Sequence, residues 1–323
     1  MVRFDLGSSP LVFFGVCWFN CVLLLILVVL EIYAIQKAFY AGDFKQVLSF
    51  EAESFSEGEA RILAQVLKYR AQIALGEVAA VAAELSKGQD EVEFKAIKHY
   101  TEYLAGTGEG LTGILKLVQD GYQENHVVEY FGGIILISEG KLEEALELLS
   151  FHQGSLEVIS LIVQIRLIQN KLDLAVKELK AAKEWAQDNV VYNLAEAWVD
   201  FRIGGTGKYE DGYYIYEEIS SSSGVTLKSL VGQLVAQLQL NRLPEASDTL
   251  SQAMEIVNST GQASAELFIN AIATVILTDS GDWQDYEDKL KEIAPEHPYL
   301  VDIADKEKLF DEIAGQYGPS VSN

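Results

Sequence analysis

A chain of 323 residues can bury a generous core, either as one large domain or as an elongated array of small units. Hydrophobic residues make up 49% and charged residues 22%, with only 5 prolines, which argues against a disordered chain. The 48 Asp and Glu against 24 Lys and Arg leave a net charge of −24, which repels phosphate backbones and anionic headgroups. Direct nucleic-acid binding is therefore not expected, and any membrane role needs a basic partner or an inserted segment.

The first element in chain order is LVFFGVCWFNCVLLLILVVL, residues 11–30, whose only strongly polar side chain is Asn20. As a helix rising ~1.5 Å per residue it would cover a hydrocarbon core of ~30 Å. It makes a poor cleaved signal, because Asp5 offsets Arg3 and no small-x-small site precedes Glu31. Arg3 on one side and Lys37 on the other give no charge asymmetry to orient an anchor. Cys17 and Cys21, the only cysteines, both lie in this run, so no disulfide framework is expected, which suits the cytosol. Their spacing puts both on one helix face, but no further ligand is near to complete a metal site.

Beyond this run the chain repeats. GDFKQV at Gly42, GEVAAV at Gly76, GKLEEA at Gly140, NKLDLA at Asn170, GKYEDG at Gly207, NRLPEA at Asn241 and GDWQDY at Gly281 follow one pattern, with Gly110 a weaker mark. Gly or Asn comes first, an apolar residue follows two positions on (Phe44, Val78, Leu142, Leu172, Tyr209, Leu243, Trp283), and a small or aliphatic one follows five on. That last position holds Val47, Val81, Ala145, Ala175, Gly212 and Ala246, with Tyr286 the exception. The pattern predicts a tight helix-turn-helix: a left-handed residue ends one helix, the apolar residue opens the next, and the small one lets the pair approach. Successive marks are 34, 34, 30, 30, 37, 34 and 40 residues apart, near the period of a tetratricopeptide repeat. Such pairs cannot bury their own faces alone, so the expected fold is all-α, a right-handed superhelix of tetratricopeptide-like helix pairs.

Particular segments sharpen this reading. Leu142, Ala145, Leu146 and Leu149 form an amphipathic stripe, while SLEVISLIVQIRLI is apolar almost all round, as for a helix between two neighbours. Ser220 to Gly224 reads as an inter-helix loop. The predicted organisation is residues 1–30 as a hydrophobic leader, 31–295 as the repeat array, and 296–323 as a C-terminal capping helix and tail. That last piece carries a short apolar stripe of Leu309, Ile313 and Tyr317.

Catalytic motifs are not found. GGTGK, Gly204 to Lys208, fails as a phosphate loop, with Arg202 where the first glycine belongs and Tyr209 where Ser or Thr belongs. His99, His126, His152 and His297 are dispersed and read as helix-surface or loop residues, so no metal or cofactor is expected. Carboxylate pairs such as Glu143 and Glu144 lie on polar faces, whereas a catalytic pair needs one desolvated member. Tyr213, Tyr214 and Tyr216 have the spacing of core packing. The chain is read as a non-enzyme.

The block GSLEVISLIVQIRLIQNKLDLAVKELKAAKEW, Gly154 to Trp185, followed by LAEAWVDFRIGGTGKYEDGYYIYEEI, Leu194 to Ile219, resembles the epsilon subunit of coatomer. The closing HPY, KE, FD and YGPS marks agree, and the similarity runs from about Ile32 to Ser320. The resemblance implies a non-enzymatic structural subunit of the COPI coat, cytoplasmic and peripheral on Golgi membranes and vesicles. It would bind and stabilise the C-terminal region of the coat's alpha subunit, and through it the other coat subunits, in Golgi-to-ER retrograde and intra-Golgi transport. Aligning the turns to the repeat pattern puts Ser160, Gln164, Lys228, Val231, Phe268 and Ala271 on the concave surface that would receive this partner. The family resembled carries a short polar leader here. Residues 1–30 are therefore read as translated non-coding sequence, as a membrane anchor, or as a run that continues the first helix and packs on the array. Taking the anchor literally gives the alternative function, a membrane-anchored tetratricopeptide adaptor recruiting chaperones or other soluble partners.

Overall fold

A computed structural model of the chain describes residues 32–317, apart from residues 52, 53, 56, 57, 89 and 187. The hydrophobic run with Cys17 and Cys21 lies outside the described residues, as do the three readings of it. The described residues form helices joined by short turns, with no strand among them. They fall into two compact units that meet after Ala195, inside one helix, and each unit is built in the same way.

In the first unit, α1 (residues 32–41) is followed by α2 (Phe44–Ser49), α3 (Glu59–Ala74), α4 (Val78–Leu85), α5 (Val92–Leu104) and α6 (Glu109–Leu117). Then come α7 (His126–Ser138), α8 (Leu142–Leu149), α9 (Leu156–Ile168), α10 (Leu172–Ala186) and the start of α11 (Val190–Ile203). The second unit continues with α12 (Thr206–Ser223), α13 (Leu227–Gln239), α14 (Leu243–Thr260), α15 (Ala265–Thr278), α16 (Gln284–Ile293) and α17 (Pro298–Ala314).

The turns at Gly42, Gly76, Gly106, Gly140, Asn170 and Asn241 share one hydrogen-bond pattern. After α7, the Gly140 N–H donates to the Ile137 carbonyl at 3.0 Å and the Lys141 N–H to the Leu136 carbonyl at 2.9 Å. The same two bonds recur at Asn170 and Lys171 and at Asn241 and Arg242. This is a Schellman closure, which consumes two of the carbonyls that a helix end leaves without partners and requires a left-handed residue at its centre. Gly140 has φ 72°, Asn170 58° and Asn241 56°. The next residue is already the N-cap of the following helix, as Lys141 and Arg242 show, so the link is three residues long and the paired helices must run antiparallel.

The residue five positions after each mark then faces the paired helix. Val47, Val81, Ala145, Ala175 and Ala246 are fully buried, and at Gly212 an added Cβ would stand 2.3 Å from the Phe201 ring. Helix α9, apolar almost all round, buries Val158, Ile159, Leu161, Ile162, Val163 and Ile165 between α7, α8 and α10. Each fully buried aliphatic side chain of this kind contributes ~1.5–3 kcal/mol. In the first unit the core runs through Tyr69, Ile97, Ile114 and Phe131. In the second, Leu234, Leu250 and Leu267 form one cluster and Ile272, Leu290 and Leu300 another.

The structure corrects the register at three marks. Gly110 lies inside α6, and the left-handed residues of that turn are Gly106 and Gly108. Gly207 is the second residue of α12; the two glycines before it, Gly204 and Gly205, make the turn with φ 78° and 89°. At the last pair Asp279, with φ 52°, takes the position expected of Gly281. Measured between the first left-handed residues, the spacings become 34, 30, 34, 30, 34, 37 and 38. The serine run is also corrected: α12 continues through Ser223 and ends only at Gly224. The Ser221 hydroxyl donates to the Glu217 carbonyl at 2.9 Å, a back-bond that lets serine sit in a helix without an unpaired hydroxyl.

Candidate functional site

In the first unit a cleft of about 290 Å³ opens between α1, α3, α7 and the beginning of α9, with Trp185, Asn189 and Val191 on its remaining side. Its organising residue is Arg70 of α3, whose side chain is 6% exposed. The guanidinium donates through Nη1 to Glu157 Oε1 at 2.9 Å and through Nη2 to the Tyr40 hydroxyl at 3.3 Å. Three rings close around it, with centroids 4.1 Å (Tyr130), 4.6 Å (Phe39) and 5.8 Å (Tyr40) from Cζ. Arginine suits this place better than lysine, since its flat and weakly hydrated cation loses less on burial and stacks on rings while keeping its hydrogen bonds.

The helices dictate the arrangement. Glu157 stands in the first turn of α9, where a carboxylate also meets the positive end of the helix dipole. Burial pushes its carboxyl up to about 8, and the guanidinium 2.9 Å away supplies the positive charge that opposes this cost. His126, at the start of α7, also lines the cleft. Burial lowers its pKa, Glu93 and Glu59 oppose that shift, and Arg70 adds to it. Asn189 Oδ1 accepts from the Val191 N–H at 2.8 Å and fixes the cleft's far wall. The cleft therefore has aromatic walls over a polar floor in which Arg70 and Glu157 are paired.

Sequence reading missed Arg70 and Glu157. The signal was present, since both are charged residues inside apolar runs, YRAQIA and SLEVISLIV, where a charge is costly unless paired.

The predicted surface residues fall into separate groups. Ser160 and Gln164 share the face of α9 that carries Glu157, at the i, i+3, i+7 spacing. Ser160 is half-buried, its hydroxyl donating to the Glu157 carbonyl at 2.7 Å, and Gln164 is exposed. In the second unit Lys228 is exposed and Val231 packs by one side on the core beneath α13. Phe268 and Ala271 are interior residues, 3% and 0% exposed, which corrects their expected place on a surface. Helix α15 is apolar on both sides, and the face predicted to be open packs in the second unit's core instead.

GGTGK also acquires a role. Lys208 Nζ lies 3.0 Å from Asp200 and 3.0 Å from Asp211, and Asp200 is 6% exposed. Burial raises the Asp200 carboxyl and Lys208 opposes that rise, so this lysine clamps a buried acid of α11 to the start of α12. Of the tyrosine trio, Tyr216 is buried and stacks on Phe201 with centroids 6.1 Å apart, while Tyr214 is exposed. Among the described residues no group of three or more His, Cys, Asp and Glu could hold a metal ion. No helix among them is long and apolar enough to cross a membrane.

Residues 29–318 match the family model of the coatomer epsilon subunit. The chain belongs to the coatomer epsilon subunit family. Among its epsilon-subunit relatives, the probable coatomer subunit epsilon of Schizosaccharomyces pombe is 28% identical over 229 residues, spanning 70% of this chain and 74% of that one. The coatomer subunit epsilon of Caenorhabditis elegans is 26% identical over 294 residues, 88% of this chain and 97% of that one. Among solved structures, a tetratricopeptide repeat protein from Parabacteroides merdae superposes with a TM-score of 0.52 at 12% identity, over 73% of this chain and 94% of that one. The APC/C Cut9–Hcn1 hetero-tetramer gives 0.53 at 13% identity, over 74% of this chain and 48% of that one. At such identities these likenesses show the fold alone, an all-helical tetratricopeptide-repeat architecture.

Proposed function

We propose that the chain is a non-enzymatic structural subunit of the COPI vesicle coat that binds and stabilises the coat's alpha subunit. It works in Golgi-to-ER retrograde and intra-Golgi transport, on the cytoplasmic face of Golgi membranes and vesicles, and associates through alpha with the other coat subunits. The observation that carries this reading is the family match over residues 29–318. The cleft supports it, since Arg70, Glu157 and Tyr40 are engaged with one another and leave aromatic walls for recognition. In the first unit, the face of α9 that bears Glu157, Ser160 and Gln164 leads away from that cleft and is the proposed contact surface. In the second unit, exposed Lys228 on α13 is a further proposed contact.

The test is affinity purification of the tagged full chain from its own cells, followed by mass spectrometry. The alpha subunit should be recovered with the other coat subunits, and Gln164→Asp, at an exposed site, should lower alpha recovery without changing helicity. Recovery of chaperones or a membrane complex in place of coat proteins would overturn the proposal in favour of an adaptor.

A further inference from the structure

Helix α17 packs only by its beginning. Tyr299 and Leu300 join the core of Phe268, Ile272 and Leu290, whereas every residue from Ala304 to Tyr317 is exposed. The apolar face does not stop where the packing stops. From Tyr299 and Ile303 it continues along the same side of the helix to Phe310, with Leu309 and Ile313 beside it and Tyr317 just past the helix end. Leu309 is 54% exposed, Phe310 70%, Ile313 45% and Tyr317 79%. Scattered apolar residues on a surface are ordinary, but four large ones aligned on one face mark an interaction site.

Charge selects the occupant. Helical spacing puts Asp305 and Glu312 on one flank of the stripe and Glu307 and Asp311 on the other. Lys306, within the stripe, is engaged by Asp302, and Lys308 lies on the far face. A second copy would bring an identical acid-flanked stripe on a chain of net charge −24, and an anionic membrane would meet the same carboxylates. A groove with apolar walls and a rim of Lys and Arg would be attracted on both flanks at once. We propose that α17 docks by Leu309, Phe310, Ile313 and Tyr317 into an apolar, basic-rimmed groove on another subunit of the coat, as an amphipathic helix seated in a groove. This rests on the coat assignment, and the partner is defined by that groove.

In the test, a benzophenone amino acid replaces Phe310 in the tagged full chain, with the same replacement at Lys308 on the far face as control. After irradiation in cells and purification of the coat, Phe310 should crosslink to a coat subunit at least tenfold more than Lys308, at a peptide that mixes apolar residues with Lys or Arg. The exposed pair Leu309→Ser with Ile313→Ser should abolish that adduct in a chain of unchanged helicity. If the coat co-purifies but the adduct is absent, or joins lipid or a second copy of the chain, the docking proposal falls alone. If no coat subunit co-purifies, the coat assignment falls with it.

Discussion

Replacing Glu129 by glutamine should change the pH dependence of stability by an amount that its surroundings set. Glu129 stands in the first turn of α7, 1% exposed, and neither carboxylate oxygen has a hydrogen-bond partner among the described residues. Burial, and to a lesser degree the charge of Glu124, pushes its carboxyl from the ordinary 4.5 up to about 7. The folded chain therefore keeps a proton that the unfolded chain releases, so stability from this residue is intact below the unfolded value. It declines as pH rises toward about 7, and above that the full penalty applies. At 1.36 kcal/mol per pH unit, the penalty is about 3 kcal/mol. Because 48 acidic residues shape the whole profile, the quantity to measure is the difference between variant and native chain. Urea unfolding followed by helical circular dichroism at constant ionic strength should show Glu129→Gln gaining roughly 2–3 kcal/mol on the native chain between pH 5 and pH 8. A difference that stays flat over this range, or that moves against the variant, would refute the reasoning.

Arg70→Met should destabilise the chain by about 3–5 kcal/mol, because it leaves Glu157 buried without its cation. Adding Glu157→Leu should recover much of that loss in the same urea assay. Gly110→Ala should lower stability by roughly 1–3 kcal/mol through overpacking. Its Cβ would stand 2.4 Å from the His99 carbonyl oxygen and 2.5 Å from the Tyr103 nitrogen, backbone atoms that cannot swing aside. Thermal unfolding of the variant measures it, and an unchanged midpoint would contradict the close approach of α5 and α6.

The helix pairs were legible because the physics that builds them is local. A three-residue link between antiparallel helices needs a left-handed residue, a helix opener and a small residue at a fixed offset, and these are legible at Gly140, Asn170 and Asn241 with their partners Ala145, Ala175 and Ala246. Where two or more residues nearby can take the left-handed role, spacing alone picks the wrong one. That is why Gly204 and Gly205 displace Gly207, and Asp279 displaces Gly281.

By itself, then, the sequence determined the fold class, the repeat period and the family, since all three are written in residues near one another in the chain. Only the tertiary structure decided which faces are open. On α15 both sides are apolar, and helical periodicity carries no information about which of two apolar faces will be covered, so Phe268 and Ala271 went to the core. On α17 only the first turn is packed, and helical periodicity by itself does not tell that Leu309, Phe310 and Ile313 stay in solvent. The pairing of Arg70 with Glu157, 87 residues apart, depends on stacking several helix pairs before the two charges meet. Nothing in either local segment names the other, because the free energy that joins them exists only once water has been excluded from between the helices.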